Sequence, residues 1–169
     1  MKPKPTSPSV APAVSRPLES WLRGLGMKII AYDPALPDTH AAWKEIGAAR
    51  VNFDELLAQA DVVSLHVPLL DSTKNLFNAE RIATMKPGAV LINTSRGGII
   101  DDAALVAALK SGALGGAAID VFTQEPLPAS AVFSGCPNLI LTPHIAGVTF
   151  EANVRVSSMI ADAVIKALS

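Results

Sequence analysis

A chain of 169 residues is one domain's worth and can bury about two-thirds of its unfolded surface. Charged residues make up 17% of it and the hydrophobic set 50%, which suits a buried parallel sheet or an oligomer subunit. A formal charge of -1 without a dense Lys/Arg block argues against nucleic acid and anionic membrane as partners. Cys136 is the single cysteine, so an internal disulfide and a cysteine metal cluster are excluded and a reducing compartment fits. No apolar run reaches the roughly 18 residues of a membrane span, and the N-terminus lacks a signal peptide's apolar core. A soluble cytoplasmic protein is expected.

Residues 1–17 carry prolines at positions 3, 5, 8, 12 and 17. Each proline removes a donor and fixes φ, so the segment is expected to be disordered and unable to run as a helix or central strand. "LESWLRGLG" reads as the last turns of a helix stopped by Gly24 and Gly26. "MKIIAYD" follows as a strand, "FDELLAQA" as a helix, "DVVSLHV" as a strand, "NAERIATM" as a helix and "GAVLINT" as a strand. The helix "DDAALVAALKSG" has Asp101 or Asp102 to cap it and Gly112 to stop it. The strands "GGAAIDVF" and "NLILTP" come next, then a final helix with Phe150, Val154, Ile160, Val164 and Leu168 at helical spacing. Apolar strands alternating with amphipathic helices imply βαβ units, hence an α/β fold with a doubly wound, Rossmann-like parallel sheet. The partial domain is placed at residues 18–169.

Such sheets bind ligands beyond the C-terminal ends of their strands. Asp33 ends "MKIIAYD", where a carboxylate can accept both ribose hydroxyls of an adenosine and repel a 2'-phosphate; a turn-starting Asp before Pro34 is the even alternative. Arg96 stands between the strand "LINTS" and Gly97–Gly98. Its planar five-donor fork suits a carboxylate or 2-keto acid, although taken alone a helix-capping salt bridge is the better explanation. His144, in "LTPHIAG", sits at a strand end where a proton shuttle is useful, although a lone histidine is more often structural. Glu125, in "DVFTQEPLP", is its natural carboxylate partner and would fix the ring's orientation; otherwise it is a solvated loop acid. His66 lies within a strand, where a core role is expected, and His40 has no obvious partner. The three histidines lack metal-ligand spacing.

Taken together, "YDP", the run from "ADVVSLHVPLL" through "SRGGIIDDAALVAALKSGALGGAAIDVFTQEPLP", and "NLILTPHIAG" closely resemble the nucleotide-binding domain of the D-isomer-specific 2-hydroxyacid dehydrogenases, over residues 18–168. The resemblance implies an NAD-dependent oxidoreductase passing hydride between the cofactor and C2 of a 2-hydroxy acid such as phosphoglycerate, glycerate, glyoxylate, lactate or sulfolactate. By it, Arg96 binds the substrate's carboxylate and carbonyl oxygen, and Glu125 with His144 forms the acid/base dyad. Asp120 holds the nicotinamide carboxamide, Asp33 binds the adenosine ribose, and Pro68, Thr94 and Gly147 line the cofactor groove. A homodimer is also implied.

The family's G-x-G-x-x-G, on the first strand and the turn into the first helix, is absent from these residues. The pyrophosphate would then lack its helix N-terminus and backbone donors. The sheet is therefore expected to miss its first strand, between those starting near Met27 and Asp61, and the chain to be truncated, without a substrate domain. The alternative to an enzyme is a catalytically silent NAD-binding or interaction module.

Overall fold

Short apolar runs bounded by Gly, Pro, Asn and Asp become parallel strands, and the longer periodic segments between them become helices. The computed structural model describes residues 6–8, 22–129 and 132–168. Its strands are β1 (Thr6–Pro8), β2 (Lys28–Ala31), β3 (Ala49–Arg50), β4 (Val62–Leu65), β5 (Val90–Asn93), β6 (Gly116–Ile119) and β7 (Leu139–Leu141). Its helices are α1 (Ala41–Ile46), α2 (Phe53–Gln59), α3 (Ala79–Ala83), α4 (Asp102–Ser111) and α5 (Phe150–Leu168). Every named strand pairing is parallel, in the orders β1-β2-β3 and β4-β5-β6-β7.

The four-stranded sheet forms the main core. Val63, Leu91 and Leu105 are fully buried beside Leu56 and Leu57 of α2, each contributing about 1.5–3 kcal/mol through apolar area removed from water. A smaller cluster of Ile29, Ala31, Trp43 and Ala48 serves the three-stranded sheet. Capping follows the sequence closely. Asp101 accepts from the Ala104 N–H at the start of α4, and Gly112 ends it at φ 76°. Asn52 and Glu55 close α2 with a reciprocal capping box.

One expectation is corrected at the N-terminus. The first strand is present: Thr6, Ser7 and Pro8 pair in parallel with Lys28, Ile29 and Ile30, and β1 lies beside β4 with Cα atoms within 8 Å. Proline is tolerated because the strand is three residues long and Pro8 is its last, so the missing donor falls at the end of the ladder rather than within it. Thr6–Pro8 is thus a strand inside the segment expected to be disordered; residues 1–5 and 9–17 lie outside the described residues.

Two further elements escaped the sequence patterns, α1 and β3. His40 caps α1, its Nδ1 accepting from the Ala42 N–H at 3.2 Å, which supplies the partner that its neighbours in sequence did not suggest. His66 falls one residue past β4 rather than inside it, half-buried, with Nε2 2.9 Å from Ser64 Oγ. Helix α5 has the expected period, yet none of its residues is buried.

Candidate active site

The site is built where strands β5, β6 and β7 end side by side. Asn93, the last residue of β5, is 2% exposed. Its Oδ1 accepts from the Ser95 N–H at 3.0 Å, and its Nδ2 donates to the Arg96 carbonyl at 2.9 Å. Ser95 Oγ donates to the Leu65 carbonyl at the end of β4. A buried amide and a hydroxyl therefore fold the "TSR" turn back over the strand ends and leave the Arg96 side chain exposed. The glycines after it have separate reasons. Gly97 presses against the main chain of Phe122, whose carbonyl oxygen occupies the space a Cβ would need. Gly98 adopts φ 78°, which disfavours a side chain.

Arg96 Nη1 donates to the Ser95 carbonyl at 2.6 Å, and among the described residues the guanidinium has no carboxylate partner. This removes the helix-capping salt bridge as its explanation and leaves most of its donor fork open. Arg96, Gly97, Leu69, Phe122, Glu125 and His144 line one open cleft of about 320 Å³. The guanidinium, the imidazole and the carboxylate converge on that cleft.

Glu125 and His144 are 19 positions apart and meet at 2.7 Å, Oε2 to Nδ1. Glu125 Oε1 accepts from the Phe122 N–H at 2.9 Å. The His144 hydrogen bond, then the Phe122 amide, hold the Glu125 carboxyl below its ordinary value. His144 has φ 54°, unusual for a residue with a side chain, and its N–H donates to the Thr142 carbonyl at 3.0 Å. The ring is held by both its backbone path and its acid.

Asp120 does not face the cleft. It is 2% exposed; Oδ1 accepts from Thr142 Oγ1 at 2.5 Å and from the Ile145 N–H at 2.9 Å, and Oδ2 from the Ala146 N–H at 2.9 Å. Burial pushes its carboxyl up, but these three hydrogen bonds together with the nearby His144 outweigh burial and hold it low. All three of these contacts go to the Thr142–Ala146 segment, so Asp120 ties the end of β6 to the loop that carries His144.

The remaining sequence candidates lie along the same rim. Pro68, Thr94 and Arg96 share a groove of about 360 Å³ with His66. Asp33 accepts with Oδ1 from the Ala35 N–H at 2.9 Å, which is the turn reading, with Oδ2 left over for a ligand. Its neighbours Tyr32 and Pro34 line an apolar cavity of about 320 Å³ with Phe53, Val67 and Phe77. Gly147 stands in an exposed stretch with nothing within 4 Å of where a Cβ would be. Asn93, Ser95 and Thr142 were missed as contributors. Their signal was a polar residue at the end of an apolar strand, which sequence alone does not separate from an ordinary turn. Among the described residues no cluster of His, Cys, Asp or Glu could hold a metal ion, and no helix is long and apolar enough to cross a membrane.

Open α/β sheets bind ligands beyond the C-terminal ends of their strands, and the solved structures this chain resembles are Rossmann-type dehydrogenases. The family model "D-isomer specific 2-hydroxyacid dehydrogenase, NAD binding domain" matches residues 13–146. The chain belongs to this family, and the matched part is the domain that binds NAD. It is 50% identical over 155 residues to the (S)-sulfolactate dehydrogenase of Chromohalobacter salexigens, covering 92% of this chain and 50% of that protein. It is 48% identical to the D-3-phosphoglycerate dehydrogenase of Synechocystis over 83% of this chain and 25% of that one. A glyoxylate reductase from Paecilomyes thermophila superposes with a TM-score of 0.86 at 34% identity, covering 98% of this chain and 49% of the other. The chain spans half or less of the length of these relatives.

Proposed function

We propose that this chain carries the cofactor-binding and proton-transfer half of an NAD-dependent dehydrogenase acting on 2-hydroxy or 2-keto acids. The observation that carries the reading is the Glu125–His144 pair lining the same cleft as a guanidinium with no carboxylate partner among the described residues. Arg96 would grip the substrate carboxylate and draw charge onto the carbonyl oxygen as it develops. With Nδ1 engaged by Glu125, the Nε2 of His144 is the nitrogen left to give a proton to that oxygen or take one from the hydroxyl. Glu125, held ionised, fixes the ring and offsets the positive charge it acquires.

The residues fit NAD at both ends. The apolar cavity beside Tyr32 and Pro34 suits a planar base, the free Asp33 oxygen a ribose hydroxyl, and the groove of Pro68 and Thr94 leads on to Arg96. Bound there, the cofactor supplies the hydride acceptor or donor. Gly147, with no atoms crowding its α-carbon, leaves room for a ligand near the dyad. A homodimer, the assembly implied by the resemblance, is tested by sedimentation of the purified chain.

A second reading, a silent NAD-binding or interaction module, is favoured by the missing G-x-G-x-x-G. Mixing the pure chain with NADH and glyoxylate or hydroxypyruvate separates the two. Steady loss of NADH absorbance supports the dehydrogenase, whereas calorimetric binding of NADH without turnover supports the module.

A further inference from the structure

The buried carboxylate beneath the site calls for an explanation. Asp120 ends up 2% exposed at the strand edge, and its three hydrogen bonds go to one short segment, Thr142 to Ala146, that straddles His144. The bonds fall two residues before the histidine and one and two residues after it. Between them His144 takes φ 54°, a conformation that persists in a residue with a Cβ only where its surroundings over-determine it. Asp120 is itself tied to the neighbouring strand, its N–H donating to the Asn93 carbonyl at 2.9 Å, and Asn93 is the residue that holds the Arg96 turn.

We infer that Asp120 is the positioning residue of the dyad: its carboxylate clamps the Thr142–Ala146 loop in the path that aims the imidazole of His144 at Glu125. The inference rests on reading Glu125 and His144 as the proton-transfer pair. A carboxylate is suited to the task because it accepts from several directions at once, whereas a neutral amide in its place presents an NH₂ to backbone donors. Thr142 is the second part of the clamp, since its hydroxyl shares Oδ1 with the Ile145 amide.

The test uses the whole ¹⁵N-labelled chain without cofactor, and reads the backbone amides of Ile145 and Ala146 together with the imidazole nitrogens of His144. In Asp120→Asn the two amides should move upfield and lose roughly tenfold or more of their exchange protection. The imidazole should pass from one dominant tautomer, set by the Glu125 contact, to a mixture. Thr142→Val should show the same changes in smaller measure, and Thr142→Ser should restore the wild-type signals. If Asp120→Asn leaves these signals as in wild type while NADH affinity drops, Asp120 serves the cofactor and the inference is overturned. Should Asp120→Asn not fold, wild-type signals in Thr142→Val overturn it equally. Absence of NADH turnover by the unaltered chain bears only on the dehydrogenase reading, because amides and imidazole are read in cofactor-free protein.

Discussion

The α-carbon of Gly97 packs directly onto the carbonyl of Phe122, leaving no volume for a methyl group. This contact brings the loop after β5 against the loop after β6, and so sets Arg96 in the same cleft as Glu125 and His144. Gly97→Ala must push the two loops apart. A destabilisation of about 1–3 kcal/mol is expected, as for an overpacked site, read from the urea midpoint. A midpoint within error of wild type would show that the two loops are not in contact.

The acid pair makes a catalytic prediction. Glu125→Gln preserves shape but removes the charge that orients His144, and His144→Ala removes the proton carrier. Each should lower kcat by about 10²–10⁴-fold in an NADH-oxidation assay with a 2-keto acid. Undiminished turnover in either variant assigns the proton to another group.

Arg96→Lys keeps the charge and loses the fork. Replacing a two-point grip by a single ammonium should raise KM for the keto acid roughly 10- to 100-fold, corresponding to one charged hydrogen bond of about 1.5–3 kcal/mol. NADH binding, measured by calorimetry, should be little altered. The opposite split, with cofactor affinity falling and KM for the acid steady, would place Arg96 on the cofactor.

Glu125 is held below its ordinary value by His144 and the Phe122 amide, and Asp120 by hydrogen bonds and the nearby His144, which together outweigh its burial. A carboxyl lowered by folding contributes stability above its unfolded value, near pH 4, and that stability is lost as pH falls through the folded value. Asp102, raised by burial and by Asp101, acts with the opposite sign and offsets part of the trend. Resistance to urea should therefore hold from neutral pH to about pH 5 and decline below about pH 4, less steeply in Glu125→Gln. An equal acid slope in that variant would mean that other carboxyls govern the decline.

Burial separates two apolar positions that look alike in sequence. Leu91 is fully buried in β5 and Ile165 is 65% exposed on α5. Leu91→Ala should cost about 2–5 kcal/mol, whereas Ile165→Ser should stay within about 0.5 kcal/mol. Thermal or urea unfolding of both variants checks the contrast. A comparable loss at Ile165 would show its helix face to be covered in solution.

The order of elements was legible because each rests on local chemistry. "DVVSLHV" and "GAVLINT" hold short apolar runs between turn residues, and Asp101 and Gly112 bracket α4 with a cap and a stop. Arg96, Glu125 and His144 stood out as polar groups just past apolar strands, which a parallel sheet gathers at one rim. Helix α1 stayed hidden because six residues capped by a histidine give too little periodicity. Strand β1 stayed hidden because its proline content argues locally against a ladder, and only the presence of Lys28–Ile30 alongside makes three residues pair.

The sequence by itself determined most of the strands and helices, and which polar groups stand at strand ends, since spacing and capping act over a few neighbouring residues. Tertiary structure alone decided that Glu125 meets His144 and that Asp120 holds the histidine's loop. Those contacts join segments 19 to 26 residues apart, and their partners are fixed by the register of β6 beside β7, a long-range pairing no local pattern encodes.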